Sequence, residues 1–204
     1  MGLQALVQRA RVALAHPTLY WLSFGGLPAD PAQPGTPIDL ARELERARLA
    51  RPEVYKAYMA ALESSGLAVA ALPKVACDCS GFVCWALGVA RDGSPLPGGW
   101  INTDAMHADA AGAQRLFVPV DKAVPGDLLV YPKPPGQNLV PGHVAIVVDA
   151  DASGRATRML HCAPDNYLVE SPAGLPRNAI AETDTGHFDA VAATRLVRWK
   201  AFAP

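Results

Sequence analysis

The sequence predicts an α+β fold, with N-terminal helices packed on a central antiparallel β-sheet. Three observations predict it. Helix-period apolar patterns dominate the chain up to Val89, and β-branched apolar runs take over from Gly126. Those later runs are separated by turn residues that suit hairpins rather than crossovers. Helices first and strands afterwards is the order of a segregated α+β domain.

The elements follow in order. Leu3, Leu6, Val7, Ala10 and Leu14 share one face of a helix over residues 3–14. Phe24 to Pro37 is rich in glycine and proline and reads as a long loop. A charged helix is expected from Asp39 to about Arg48, and a second from Pro52, a favoured first helical position, to about Ser64. Gly66 stops it. These two helices read as an insertion at about 38–66 in one domain spanning 1–204. Ser80 to Val89 is apolar and helical, and Pro95 to Gly99 is a loop. Strands are expected at 127–131, 143–149, 156–162 and 190–199, with a surface turn at 132–141 and a hairpin turn at 151–154.

Half of the 204 residues are hydrophobic and 18% are charged, the balance of a globular chain with a real core. The net charge of -1 gives no electrostatic reason to expect a nucleic acid or an anionic membrane as partner. No run approaches the roughly 18 apolar residues of a membrane span. Near the N-terminus, Arg9 and Arg11 follow the apolar residues instead of preceding them, so no secretory leader is read there. A cytoplasmic location is expected, with export by a route that reads no cleavable signal as the alternative. The four cysteines are Cys77, Cys79, Cys84 and Cys162. Three crowd into one segment, which is unlike a disulfide framework, so reduced thiols are expected.

The chemistry concentrates at Cys79. A cysteine nucleophile reacts as the thiolate, and the start of a helix is expected to lower its pKa. Cys79 stands where the Ser80–Val89 helix begins, and Gly81 is expected to leave room beside it for a substrate. The competing reading is a small buried apolar residue. A thiol nucleophile also needs a base, and the base an orienting partner. His143 opens the most apolar strand and His161 lies near the end of the next. They stand nine residues either side of a turn centred near 152, which makes them cross-strand neighbours. Trp100 either lines the cleft or packs as a plain aromatic. His107 and His187 show no partner pattern and read as surface or packing residues. A zinc site built from the four thiols and His161 is disfavoured, because Cys77 and Cys79 are separated by one residue only.

Four segments resemble the NlpC-type bacterial cell-wall cysteine peptidases of the papain-like superfamily. They are Asp78-Cys79-Ser80-Gly81-Phe82-Val83, Pro125-Gly126-Asp127-Leu128-Leu129-Val130-Tyr131, Gly142-His143-Val144-Ala145-Ile146-Val147-Val148 and Leu160-His161-Cys162. The resemblance implies a papain-like fold with Cys79 as nucleophile, His143 as general base and acid, and His161 as its orienter. It implies an oxyanion hole that includes the backbone N–H of Cys79. Leu19-Tyr20-Trp21 with Gly25-Gly26 resembles the family's Tyr…Gly-Gly segment. Tyr20 would then line the cleft and act with Asp78 and Ser80 on a substrate amine. The implied activity is hydrolysis of an amide in a peptidoglycan peptide or muropeptide, such as the γ-D-Glu to diaminopimelate bond. No cofactor and no metal are implied. The helical insertion, absent from the family's usual short link, would cap the cleft. A related amidase family, CHAP, shares the Cys and Gly-His blocks. In that reading Asn166 or Asp165 replaces His161 as third member. Other acyl transfer on the same residues, or a non-catalytic binding module of this fold, are the remaining alternatives.

Overall fold

The computed structural model of the chain describes residues 2–27, 32–136, 141–168 and 177–203. Residues 28–31 of the expected loop and 137–140 of the expected turn lie outside these. In the first half the elements are α1 (Leu3–Val12), β1 (Leu19–Tyr20), β2 (Thr36–Pro37), α2 (Leu40–Ala50), α3 (Pro52–Ser64), β3 (Val75–Cys77) and α4 (Cys79–Leu87). Then come α5 (Thr103–Ala111), β4 (Phe117–Pro119), β5 (Leu128–Tyr131), β6 (His143–Ala150), β7 (Ala156–Cys162), α6 (Pro164–Leu168), β8 (Ile180–Asp184), α7 (Gly186–Asp189) and β9 (Arg195–Trp199). The fold is α+β, with helices against an antiparallel sheet.

The large sheet has the order β4-β9-β5-β6-β7-β8, and every pairing in it is antiparallel. Its side chains alternate as the pleat requires. Leu128, Val130, Val144, Ile146, Val148 and Leu160 face the main core, while Leu129, Tyr131, Ala145, Val147 and Met159 pack in a second cluster with Phe188. Both faces are covered, which is why β6 reads as an unbroken apolar run instead of an alternation. A three-stranded sheet of order β1-β3-β2 joins β1 in parallel to β3, with Tyr20 opposite Cys77.

At the centre lies α4. Every residue from Cys79 to Leu87 is buried, and the helix packs on β6 and β7 with α1 also against it. Phe82 and Trp85 are fully buried, each contributing roughly 2–3 kcal/mol by removing apolar surface from water. Asp78 caps its start by accepting from the Gly81 N–H at 2.7 Å, and Gly88 ends it at φ 72°.

Four expectations are corrected. The last strand covers Arg195–Trp199 only; the short helix α7 and a turn occupy the stretch before it, where Phe188 is buried. Strand β8 and helix α5, the latter capped by Asn102, stand where no regular element was expected. Gly81 does not open space for a substrate. A side chain there would collide with the backbone of Phe24 and Gly25, so the glycine lets that loop lie against α4. Finally, Ile146 pairs with Leu160, and continuing that register puts Ala145, not His143, opposite His161. The hairpin is centred nearer 153, and the two histidines are diagonal neighbours on one face.

Candidate active site

Three elements converge at one end of the large sheet. The N-terminus of α4 presents Cys79, the start of β6 presents His143, and the end of β7 presents His161. The imidazoles meet: His143 Nε2 lies 2.8 Å from His161 Nδ1, with the rings nearly perpendicular at 81°. Phe188 stacks on His143 at 5.4 Å between centroids and backs the ring from the second core cluster. This leaves His143 Nδ1 as the nitrogen not engaged by His161. The Cys79 sulfur lies within reach of the backbone N–H groups of Ser80 and of Val144, the residue that follows His143. No hydrogen bond joins Cys79 to His143 in this resting arrangement. Such contacts are often long without substrate and tighten on binding.

The electrostatics correct the expectation of an acidic thiol. Burial pushes the Cys79 thiol well above its usual value, and the Asp78 charge adds to this. The N–H of Val144, the Arg91 charge and the N–H of Ser80 oppose it without winning. The helix terminus acts in the acidic direction through the Ser80 N–H, but burial outweighs it and the Asp78 carboxylate next door adds to the rise. Burial likewise holds His143 well below the usual imidazole range, and holds His161 down to about 4. At neutral pH Cys79 is therefore a neutral thiol, and His143 and His161 are neutral imidazoles.

Asp78 and Ser80 have a different place from the one the resemblance implies. Asp78 is buried, and its carboxylate accepts from Gly81 N–H, Ser80 Oγ, Ser23 N–H and Arg91 Nη2. Arg91 Nη2 also donates to Ser80 Oγ, Nε to the Ile101 carbonyl at 3.0 Å, and Nη1 to the Phe24 carbonyl at 3.1 Å. The carboxylate expected to hold a substrate amine is thus neutralised by an internal guanidinium. Arg91 is the residue that reading the sequence missed. It follows the apolar helix in the segment Arg91-Asp92-Gly93, which looks like an exposed charged turn, and nothing in its spacing marks it as buried.

No protein-family model matches the chain, and no curated protein matches it. The site is therefore read from its own geometry. Trp100 lies over the Arg91 guanidinium at 4.8 Å, so it packs on the buried ion pair and does not line the cavity. Tyr20 stands beside Cys79: burial raises its phenol, and Cys79, Asp78 and Cys162 add to the shift. It also opens onto a cavity of about 860 Å³. The cavity lies between the loop after β1 and the insertion helices, with Leu44, Ala57, Tyr58 and Ala61 among its walls. Trp21 and Tyr58 meet edge to face at 5.3 Å and tie α3 to that loop. The insertion helices border this cavity, whose walls include Tyr20 but none of Cys79, His143 and His161.

His161 faces His143, so the arrangement in which Asn166 or Asp165 replaces it is not the one observed. Asn166 stands one step further out, with Nδ2 3.3 Å from His161 Nε2. His187 is exposed but not isolated. Its Nε2 lies 2.6 Å from the Tyr131 hydroxyl and its ring centroid 5.6 Å from that of His143. His107 binds the Ala193 carbonyl and Arg195 at the surface, away from these groups. All four cysteines are free thiols. Among the described residues, no group of three or more His, Cys, Asp or Glu side chains is arranged to hold a metal, and no helix is long and apolar enough to cross a membrane.

Proposed function

We propose that this chain is a cysteine amidohydrolase of the NlpC type, papain-like in architecture, that cleaves an amide bond in a peptidoglycan-type peptide. The observation that carries the reading is the 2.8 Å bond between His143 Nε2 and His161 Nδ1 at the sheet end where Cys79 begins α4. His143 Nδ1 takes the thiol proton as the sulfur attacks the carbonyl carbon. The oxyanion forms beside the backbone N–H of Cys79, which has no hydrogen-bond partner among the described residues. The His143 imidazolium then protonates the leaving amine. Water hydrolyses the thioester, with His143 as base again.

Because the resting thiol is neutral, proton transfer accompanies attack, and no stored thiolate–imidazolium pair precedes it. Tyr20 and the cavity beside α2 and α3 form the substrate side of the cleft. The Asp78–Arg91 pair removes the support for a free-amine pocket, so substrates blocked at the N-terminus are part of the proposal. Incubation of the protein and a Cys79→Ala variant with muropeptides, one set with a free N-terminal amine and one N-acylated, followed by mass spectrometry, tests it. Cleavage by the wild type alone is expected. No cleavage, or equal cleavage by both proteins, refutes the proposal.

A further inference from the structure

A neutral imidazole carries its proton on one nitrogen and accepts on the other. Both His143 and His161 are held neutral by burial. The 2.8 Å bond between them therefore contains a single proton. If His143 owns it on Nε2, its Nδ1 is a lone pair and a base. If His161 owns it on Nδ1, His143 must carry its own proton on Nδ1, and no base faces the thiol. The bond length is the same either way, so the choice is made by what touches the far nitrogen of His161.

Two groups do. Asn166 Nδ2 lies 3.3 Å from His161 Nε2, and Thr183 Oγ1 lies 3.2 Å from it. Asn166 Nδ2 also donates to the carbonyls of His161 at 3.3 Å and Ala179 at 3.0 Å. Two carbonyls facing that atom fix it as the nitrogen, and they occupy both its hydrogens; it accepts nothing. Thr183 Oγ1 donates to the Asp184 carbonyl at 3.0 Å. Its one hydrogen is thereby placed, and its lone pairs are left to accept from His161. Register explains why this threonine is in reach. Ala181 pairs with His161 across β7 and β8, so Thr183 is the diagonal neighbour on the same face.

We propose that Thr183 accepts the His161 Nε2–H and so fixes the tautomer that leaves His143 Nδ1 as the base. Thr183 is a positioning residue acting through His161, and the inference rests on Cys79 and His143 being nucleophile and base. The His143 Nε2–H, the His161 Nε2–H and the Thr183 hydroxyl then donate in one direction, away from the thiol and toward the Asp184 carbonyl, which accepts the last bond. Remote partners that hold a working histidine are commonly worth 10- to 100-fold in function.

The test uses Thr183→Val, which keeps the shape and strand preference while deleting the hydroxyl, and Thr183→Ser, which restores it. Nitrogen NMR of histidine-labelled protein, with His161→Gln for assignment, reads the tautomer directly. The wild type should show His161 protonated on Nε2. T183V should show a mixed or reversed state, and T183S should match the wild type. In parallel, iodoacetamide alkylation of Cys79 at pH 7, followed by peptide mass spectrometry, should slow about 10- to 100-fold in T183V and recover in T183S. Identical spectra for wild type and T183V overturn the inference. So does a tautomer change produced by Asn166→Leu and not by T183V. Failure of the underlying reading has a different signature: His143→Ala leaves wild-type Cys79 alkylation unchanged.

Discussion

Replacing Arg91 by methionine removes a buried charge whose partner stays behind. The two side chains are 3% and 4% exposed and meet at 2.7 Å, so solvent cannot take over from the guanidinium. Breaking a buried pair from one side costs about 3–5 kcal/mol, because the remaining charge is left uncompensated. Three N–H groups or hydroxyls still reach Asp78, from Ser23, Gly81 and Ser80, which moderates the loss. Against that, the Ile101 carbonyl loses its Arg91 donor and Trp100 loses the cation above its ring. The Phe24 carbonyl keeps one donor, the Asp78 N–H at 3.0 Å. The balance is a destabilisation of about 4 kcal/mol.

Urea unfolding followed by tryptophan fluorescence measures it, with Asp78→Asn and the double variant completing a thermodynamic cycle. Asparagine keeps an oxygen for the Gly81 cap and drops the charge. The double variant should therefore be more stable than R91M alone by roughly 1–3 kcal/mol. If R91M lies within about 1 kcal/mol of the wild type, or the double variant equals the sum of the singles, the buried-pair argument is wrong. R91M should also slow alkylation of Cys79, since the Arg91 charge favours the thiolate and works against the burial that raises the thiol pKa.

Acid should destabilise the fold through its histidines. His161 has a folded-state pKa depressed from 6.5 to about 4, so its contribution is complete above about pH 6.5 and lost as pH falls toward 4. That window is worth about 3 kcal/mol for this one group, and His161→Gln should flatten the urea midpoint between pH 7 and 4.5; equal slopes in both proteins would contradict it. Gly81→Ala should unfold at clearly lower urea than the wild type, because the added methyl meets the Phe24 and Gly25 backbone and no flexible side chain can yield; an unchanged midpoint would show that the loop moves freely. Phe82→Ala should cost about 3–5 kcal/mol as a cavity in the fully buried helix, measured the same way. Ala61→Trp, filling a wall of the cavity by α3, should reduce muropeptide turnover while leaving iodoacetamide alkylation of Cys79 unaltered; loss of both would mean that the cavity is not a substrate pocket.

Much of this architecture was legible in the chain. The α3 helix begins at Pro52 because proline suits the first helical turn, and β5, β6 and β7 stand where β-branched runs were punctuated by glycine and proline. The meeting of His143 with His161 was also legible, since a short hairpin leaves its two arms few choices of register. The remaining offset of two residues along the strand came from the turn, which is centred on 153 and not 152: Ala150 pairs with Ala156 and Ile146 with Leu160, so the irregularity at Asp149 leaves the register unchanged. Strand β8 was not legible, because Ile180–Asp184 carries two acidic residues and earns its place by pairing with β7 rather than by pattern. Arg91 and Thr183 were not legible either. Their importance is that each supplies one donor or acceptor at one position in space, and a sequence records no such positions.

The most consequential of the corrections concerns the helix terminus. A cysteine at the first turn of a helix is expected to be acidic when the terminal N–H groups point at its sulfur. In this fold Asp78 takes the Gly81 N–H, and Arg91 in turn takes Asp78. The thiol keeps the Ser80 and Val144 N–H groups and the Arg91 charge on its side, but burial outweighs them and Asp78 adds to it. What remains for chemistry is a neutral sulfur, the unpaired N–H of Cys79, and an imidazole whose free nitrogen is fixed from behind. Under the proposed function such a site stays silent until a carbonyl arrives, because charge separation between sulfur and His143 is unfavourable in a buried space without an oxyanion to stabilise. Arg91 therefore has two opposed effects: it neutralises the Asp78 carboxylate that would hold a substrate amine, and its charge works against the burial that raises the Cys79 thiol.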